Sequence, residues 1–419
     1  MKRRRPLTLA ALLLVACPSD PRFVAGDGSA HDTETESETE TEVAMVDDGD
    51  AQEIDPPETS TCPPPCGPLA ECLDGACRCP DDLCDGEVTA QPVEELVLLM
   101  REVDVPVVVY ERFQEVPDMA LTSWGGASWV HEPVFARDYG LPLDATLDHL
   151  RRPVVLTSTG DREAQFSWET GPGQWHEENT YQSTCAHAAI DFDPTASSAV
   201  IGCSDEADAR YLLTSYHLVS GSSNLPPMAL GQAPNPNVVR FAFDAVGQPW
   251  VVYSAPSTGG AAISVAHYDA GEWQHEPLEG VKLPTGAVRG PPIALGLDGL
   301  SKPHVVYVHL RDGGLALTHR VRTGTDTWAS ADISFDGPLD GLGVLDLEGG
   351  PGAVVHLLMV RRDRLVWLAL AASDVIGSAS RTADADVIDA DLATDADGAP
   401  WVAYAPGRTG IRLWRPGGP

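Results

Sequence analysis

Pro106-Val-Val-Val-Tyr110, Pro249-Trp-Val-Val-Tyr253, Pro303-His-Val-Val-Tyr307 and Pro400-Trp-Val-Ala-Tyr404 are four versions of one five-residue stretch. Three looser copies, Pro153-Val-Val-Leu-Thr157, Ser198-Ala-Val-Ile-Gly202 and Gly352-Ala-Val-Val-His356, fall in the same series. Each is a short apolar, β-branched run opened in most copies by proline, the pattern of a buried strand. Successive copies lie 47, 45, 51, 54, 49 and 48 residues apart, so the chain from residue 86 onward reads as a repeat array.

Five copies carry an aspartate five positions upstream: Asp148, Asp193, Asp244, Asp298 and Asp395. In Phe241-Ala-Phe-Asp244 that residue ends the preceding strand, where its carboxylate can accept the backbone N–H two residues on. The repeated aspartates are therefore turn residues. Downstream of the anchors come another strand, a turn and in several repeats a tryptophan, at Trp129, Trp175, Trp273 and Trp328. Each repeat thus supplies four antiparallel strands, except the last, which stops soon after Ile411-Arg-Leu-Trp414. Residues 87–93 are expected to supply the missing strand, because Ala90-Gln-Pro-Val93 aligns with His131-Glu-Pro-Val134 and His275-Glu-Pro-Leu278. Such a closure removes an open sheet edge.

The repeats resemble seven-bladed β-propellers of secreted bacterial proteins, which makes the expected fold class all-β, with the propeller covering 86–419. No activity comes with the resemblance. The sialidase Asp-box is absent, Thr323-Gly-Thr-Asp-Thr-Trp328 keeping only its Thr-Trp end, and WD-repeat and kelch signatures are missing.

At the other end, Lys2, Arg3, Arg4 and Arg5 precede an apolar run from Leu7 to Ala16 and the sequence Leu14-Val15-Ala16-Cys17. This is the layout of a signal peptide. A helix of that length, rising about 1.5 Å per residue, is too short for a hydrocarbon core of about 30 Å. The segment resembles a bacterial lipobox, which implies that residues 1–17 are a signal peptide and that Cys17 is the diacylated residue. Pro18 after the cysteine, by analogy with lipoprotein sorting, points to the outer membrane. The protein is expected to be exported and lipid-anchored at the bacterial outer membrane or cell surface.

Residues 18–61 include the acidic run Thr33-Glu-Thr-Glu-Ser-Glu-Thr-Glu-Thr-Glu42 and almost no aromatics, so they read as a disordered linker that holds the folded part off the membrane. Residues 62–85 place Cys62, Cys66, Cys72, Cys77, Cys79 and Cys84 in 23 residues, too dense for a hydrophobic core, so crosslinks must replace one. Export into an oxidising compartment favours disulfides over a zinc cluster, as does the lack of a nearby histidine. The stretch Cys66-Gly-Pro-Leu-Ala-Glu-Cys72-Leu-Asp-Gly-Ala-Cys77-Arg-Cys79 resembles an EGF-like module, and the resemblance implies pairing of Cys62 with Cys72, Cys66 with Cys77 and Cys79 with Cys84. The remaining pair, Cys185 and Cys203, falls on two arms of one hairpin, compatible with a cross-strand disulfide or with two buried thiols.

The formal charge of -35 repels nucleic acid and anionic headgroups. His131-Glu132, His176-Glu177 and His275-Glu276 suggest metal or acid–base partners, but their equivalent place in separate repeats keeps them from converging, and solvent-facing strand positions are expected. Asp395-Ala-Asp397-Gly398 opens like a calcium loop, yet no glutamate follows at the EF-hand position, and a turn is favoured. No cofactor is expected, with calcium at Asp395 and Asp397 the sole candidate. There is no Gly-x-Ser-x-Gly elbow. Trp250 and Trp401, inside anchors, are expected in the core. The expected function is a non-enzymatic, monomeric binding or adhesion protein, joined to the membrane by its lipid and taking a glycan or protein ligand. A propeller-fold glycoside hydrolase or lyase is the alternative, which would need carboxylates or arginines gathered near the axis.

Overall fold

In a computed structural model, the described residues are a short hairpin within 71–78 and most of 85–416. Residues 1–70, 79–84 and 417–419, and several loops of which 230–238 and 282–292 are the longest, lie outside them. The lipid site Cys17, the linker, and Cys62, Cys66, Cys79 and Cys84 therefore lie outside the described residues. Cys72 and Cys77 oppose each other in the hairpin of Glu71–Leu73 with Ala76–Arg78, but their side chains are not among those described. No helix among the described residues is long and apolar enough to cross a membrane.

From residue 85 onward the described residues form seven antiparallel sheets, six of four strands and one of five. Their first strands are Val93–Glu102, Pro142–Leu147, Cys185–Asp193, Val239–Phe243, Ile293–Leu297, Leu342–Gly349 and Val387–Thr394. Each lies against the first strand of the next sheet, and the seventh returns to the first, so the sheets close round an axis. The anchors are the second strands. They are apolar without alternation because both faces meet a neighbouring sheet; Val251 and Val252, adjacent in sequence, are both fully buried and enter different cores.

The repeated aspartates do make the turns. Asp244 Oδ1 accepts the N–H of Val246 at 3.0 Å and of Gln248 at 2.8 Å, and Asp148, Asp298 and Asp395 bond their own turns in the same way. The fourth turn position is left-handed, filled by Gly247 and Gly398 and, with positive φ, by Arg151 and Ser301. Trp129, Trp175, Trp273 and Trp328 all pack into the core shared with the preceding sheet in the ring.

Two sequence expectations are corrected. The strand completing the last sheet is Asp85–Thr89, paired with Ile411–Trp414, whereas Val93 already begins the first sheet. In the sixth sheet the anchor begins at Val355 and not at Gly352: Gly349 pairs with Val355 as Phe243 pairs with Pro249, and the Gly350 N–H bonds Val354 O as Asp244 bonds Gln248. Residues 354–360 are apolar apart from His356, so several registers bury them equally. Gly350, where other repeats hold aspartate, leaves no polar mark of the turn.

Candidate functional site

The ring encloses an axial cavity of about 1190 Å³, lined by the first strands of the sheets. Into it face five aspartates, Asp144, Asp191, Asp346, Asp389 and Asp391, together with Glu95, Glu348 and Arg240 on the first strands, while Arg151 and Arg362 line it from the turns.

The aspartates are committed to the frame. A first strand has no further strand on its axial side, so its N–H groups there need partners. Asp144 accepts from Ile190 at 3.1 Å, Asp191 from Phe243 at 3.0 Å, Asp346 from Leu392 at 3.1 Å, Asp389 from Leu96 at 2.9 Å and Asp391 from Leu98 at 2.7 Å. In every case the donor belongs to the next sheet. Burial raises Asp144 and Asp389 to about 6 and Asp191 to about 7, with the N–H bonds opposing it. Asp391, in hydrogen-bond contact with Asp346, is pushed well up by burial first and by that neighbour's charge second.

Glu95 and Glu348 differ, since no hydrogen bond engages either carboxyl. Burial raises both to about 8, helped at Glu95 by Asp389, Glu111 and Glu94, and at Glu348 by Asp346, Asp191 and Asp144. Arg240 has no hydrogen-bonded acceptor either and acts on Asp144 through space. Among these central groups, these three side chains are the ones that no protein hydrogen bond engages.

The residues singled out in the sequence lie elsewhere. His131, His176 and His275 sit on the outermost strands of different sheets and are exposed, but Glu276 is buried at 6 % exposure, contrary to the solvent-facing expectation. It binds Trp328 Nε1 and Arg322 Nη2, both at 2.7 Å, because the neighbouring sheet folds over it. His275 Nδ1 lies 2.8 Å from the Tyr253 hydroxyl. Asp395 has both oxygens in use, Oδ1 on the N–H groups of Asp397 and Ala399 and Oδ2 on Trp401 Nε1 at 3.1 Å, while Asp397 is exposed. Trp250 and Trp401 are core residues. Cys203 stands opposite Ala188 and Cys185 opposite Asp205 across a bulge, with both cysteine side chains outside the description. No signal for the axial groups was read in the sequence, although Asp389-Ala-Asp391 and Asp346-Leu-Glu348 place acids at alternate strand positions, hence on one face.

Comparison with known proteins finds no matching family and no matching curated sequence. Among solved structures, an ulvan lyase of a new polysaccharide lyase family, bound to its glucuronate–sulfated rhamnose unit, is 13% identical with a TM-score of 0.52 over 79% of this chain and 95% of that one. Polysaccharide lyase Uly1 is 8% identical with a TM-score of 0.53 over 79% and 98%. BBS1N, solved in complex with ARL6DN, is 10% identical with a TM-score of 0.50 over 79% and 95%. The likeness is to β-propellers and shows the fold alone.

Proposed function

We propose that this chain is an exported binding protein, held to the bacterial outer membrane or cell surface by a lipid on Cys17, with a seven-bladed β-propeller that takes its ligand in the axial cavity. The linker of 18–61 and an EGF-like module at 62–85 space it from the membrane, with Cys185 and Cys203 joined in the propeller. A glycan or protein segment is the proposed ligand. The observation that carries the reading is an axial lumen whose wall holds Glu95, Glu348 and Arg240 part-buried and without protein hydrogen-bond partners, a concave site with a few polar groups free to meet a ligand. Glycan-array and pull-down screens, repeated with Glu348→Gln and Glu95→Gln, test it. Binding that those substitutions abolish supports the lumen as the site; capture unaffected by them, or blank screens, sinks it.

A carbohydrate-active enzyme is the second reading, favoured by one observation. Asp391 and Asp346 are in hydrogen-bond contact in the lumen, and burial together with the neighbouring charge pushes Asp391 well up, a pair of adjoining carboxyls suited to acid–base work on a glycosidic bond. Turnover of a polysaccharide panel, lost in Asp391→Asn, would establish it.

A further inference from the structure

We infer that the ligand of the axial cavity is a linear organic polycation, a chain of spaced ammonium groups, which Glu348 and Glu95 hold by ion pairing from opposite ends of the lumen. This rests on the reading of the cavity as the ligand site and names the chemistry of what enters it.

Three observations lead there. Glu348 is part-buried in the wall of the lumen, and no hydrogen bond engages its carboxyl. A cation brought to such a carboxyl gains a charge-assisted hydrogen bond. Secondly, acids outnumber bases: the lining acids are the five aspartates that face the lumen, Asp148, Glu94, Glu95 and Glu348, against Arg240, whose charge already falls on Asp144, Arg151, which is bonded to the carbonyls of Met100 and Arg101, and Arg362. An anionic ligand would meet more like charge than opposite charge along the walls.

The third observation separates an organic cation from a metal ion. Among the described residues no three Asp, Glu, His or Cys side chains gather as a metal site. The carboxyls are strung along the axis instead. The paired staples Asp389 to Leu96 and Asp391 to Leu98 show neighbouring first strands running in the same sense. Glu95 is near the start of its strand and Glu348 near the end of its own, so they approach opposite mouths. Positions two residues apart on such strands are separated by about 7 Å along the axis. Glu95 and Glu348 lie further apart, about six positions by those staples and the bond from Leu392 to Asp346, a span that calls for a chain carrying several amines.

The carboxyls must ionise to hold the cation, so binding expels protons. The groups facing Glu348 are Asp346, Asp191 and Asp144, and those facing Glu95 are Asp389, Glu111 and Glu94. All are acids, and the opposing charges that line the cavity are Arg240, Arg151 and Arg362.

The test is isothermal titration of the full-length protein with spermine at low salt, in two buffers of different ionisation enthalpy. One spermine per chain is expected, with net proton release and affinity rising from pH 6 to pH 8. Glu348→Gln and Glu95→Gln each weaken binding about tenfold, whereas Arg240→Gln tightens it by removing the like charge. The gain in Arg240→Gln cannot arise from misfolding. Absence of heat with spermine overturns the inference, as does binding that ignores all three substitutions or calcium competing as strongly as spermine. A glycan that protects the first-strand amides from hydrogen exchange while spermine stays inert also overturns it, and leaves the ligand-site reading standing.

Discussion

The carboxylate of Asp391 accepts the backbone N–H of Leu98 at 2.7 Å, joining residues 293 positions apart in the chain. It ties the seventh sheet to the first at the axis, and Asp389 does the same for Leu96 at 2.9 Å. The outer side of that junction is closed separately by Asp85–Thr89, so the ring is fastened on both edges of its last sheet.

Asp391→Ala leaves the Leu98 N–H without its acceptor and is expected to cost about 1–3 kcal/mol. Asp391→Asn keeps an acceptor and removes a carboxyl whose ionisation burial resists, so at pH 8 it should be as stable as the parent or more so. Denaturant unfolding of both variants checks this. Equal losses would show that the charge, and not the acceptor, matters at this position.

Stability should peak at mildly acid pH. Glu95 and Glu348 have folded values of about 8 against about 4.3 in the unfolded chain, so their contribution is complete below the unfolded value and disappears as pH rises through 8. His319 acts oppositely: burial against His304 lowers it from 6.5 to about 3, so its contribution is present above 6.5 and fades as pH falls toward 3. Unfolding followed from pH 4 to 9 should show both limbs, and the double substitution Glu95→Gln, Glu348→Gln should flatten the alkaline one. Stability still climbing at pH 9 would contradict the assignment.

Asp395→Ala removes the acceptor for two turn N–H groups and for Trp401 Nε1, and a loss of about 2 kcal/mol or more is expected. The loss should be the same with and without calcium, because the oxygens are occupied by the protein's own donors. A thermal shift with calcium that the substitution abolishes would restore the metal reading.

Gly349→Ala should destabilise by about 1–3 kcal/mol, since an added Cβ would lie 2.2 Å from Leu297 O on the adjoining first strand. The backbone there has no flexible side chain to move aside. A melting temperature unchanged by the substitution would mean that the fifth and sixth sheets are not so closely apposed.

How much could be read without coordinates differs residue by residue. Asp148, Asp244, Asp298 and Asp395 announced their turns because an aspartate bonds its own backbone two residues on, a local act that needs no distant partner. The anchors announced buried strands for a similar reason, apolarity without alternation. Gly350 announced nothing, and the sixth anchor was set three residues early. Glu276 reads as solvent-facing in the sequence because its partners, Arg322 and Trp328, arrive from the next sheet.

Local chemistry thus determined the period, the turns and the ring of strands from the sequence by itself, along with the closing role of the N-terminal segment if not its limits. Only the tertiary structure decided what the inward acids do. Alternation along a strand says that Asp389 and Asp391 share a face, but a face acquires its meaning from what stands opposite. Closure of the ring supplied Leu96 and Leu98 as partners for those two and left Glu95, Glu348 and Arg240 in the lumen with none, because a bond between sheets depends on which strands the ring brings together.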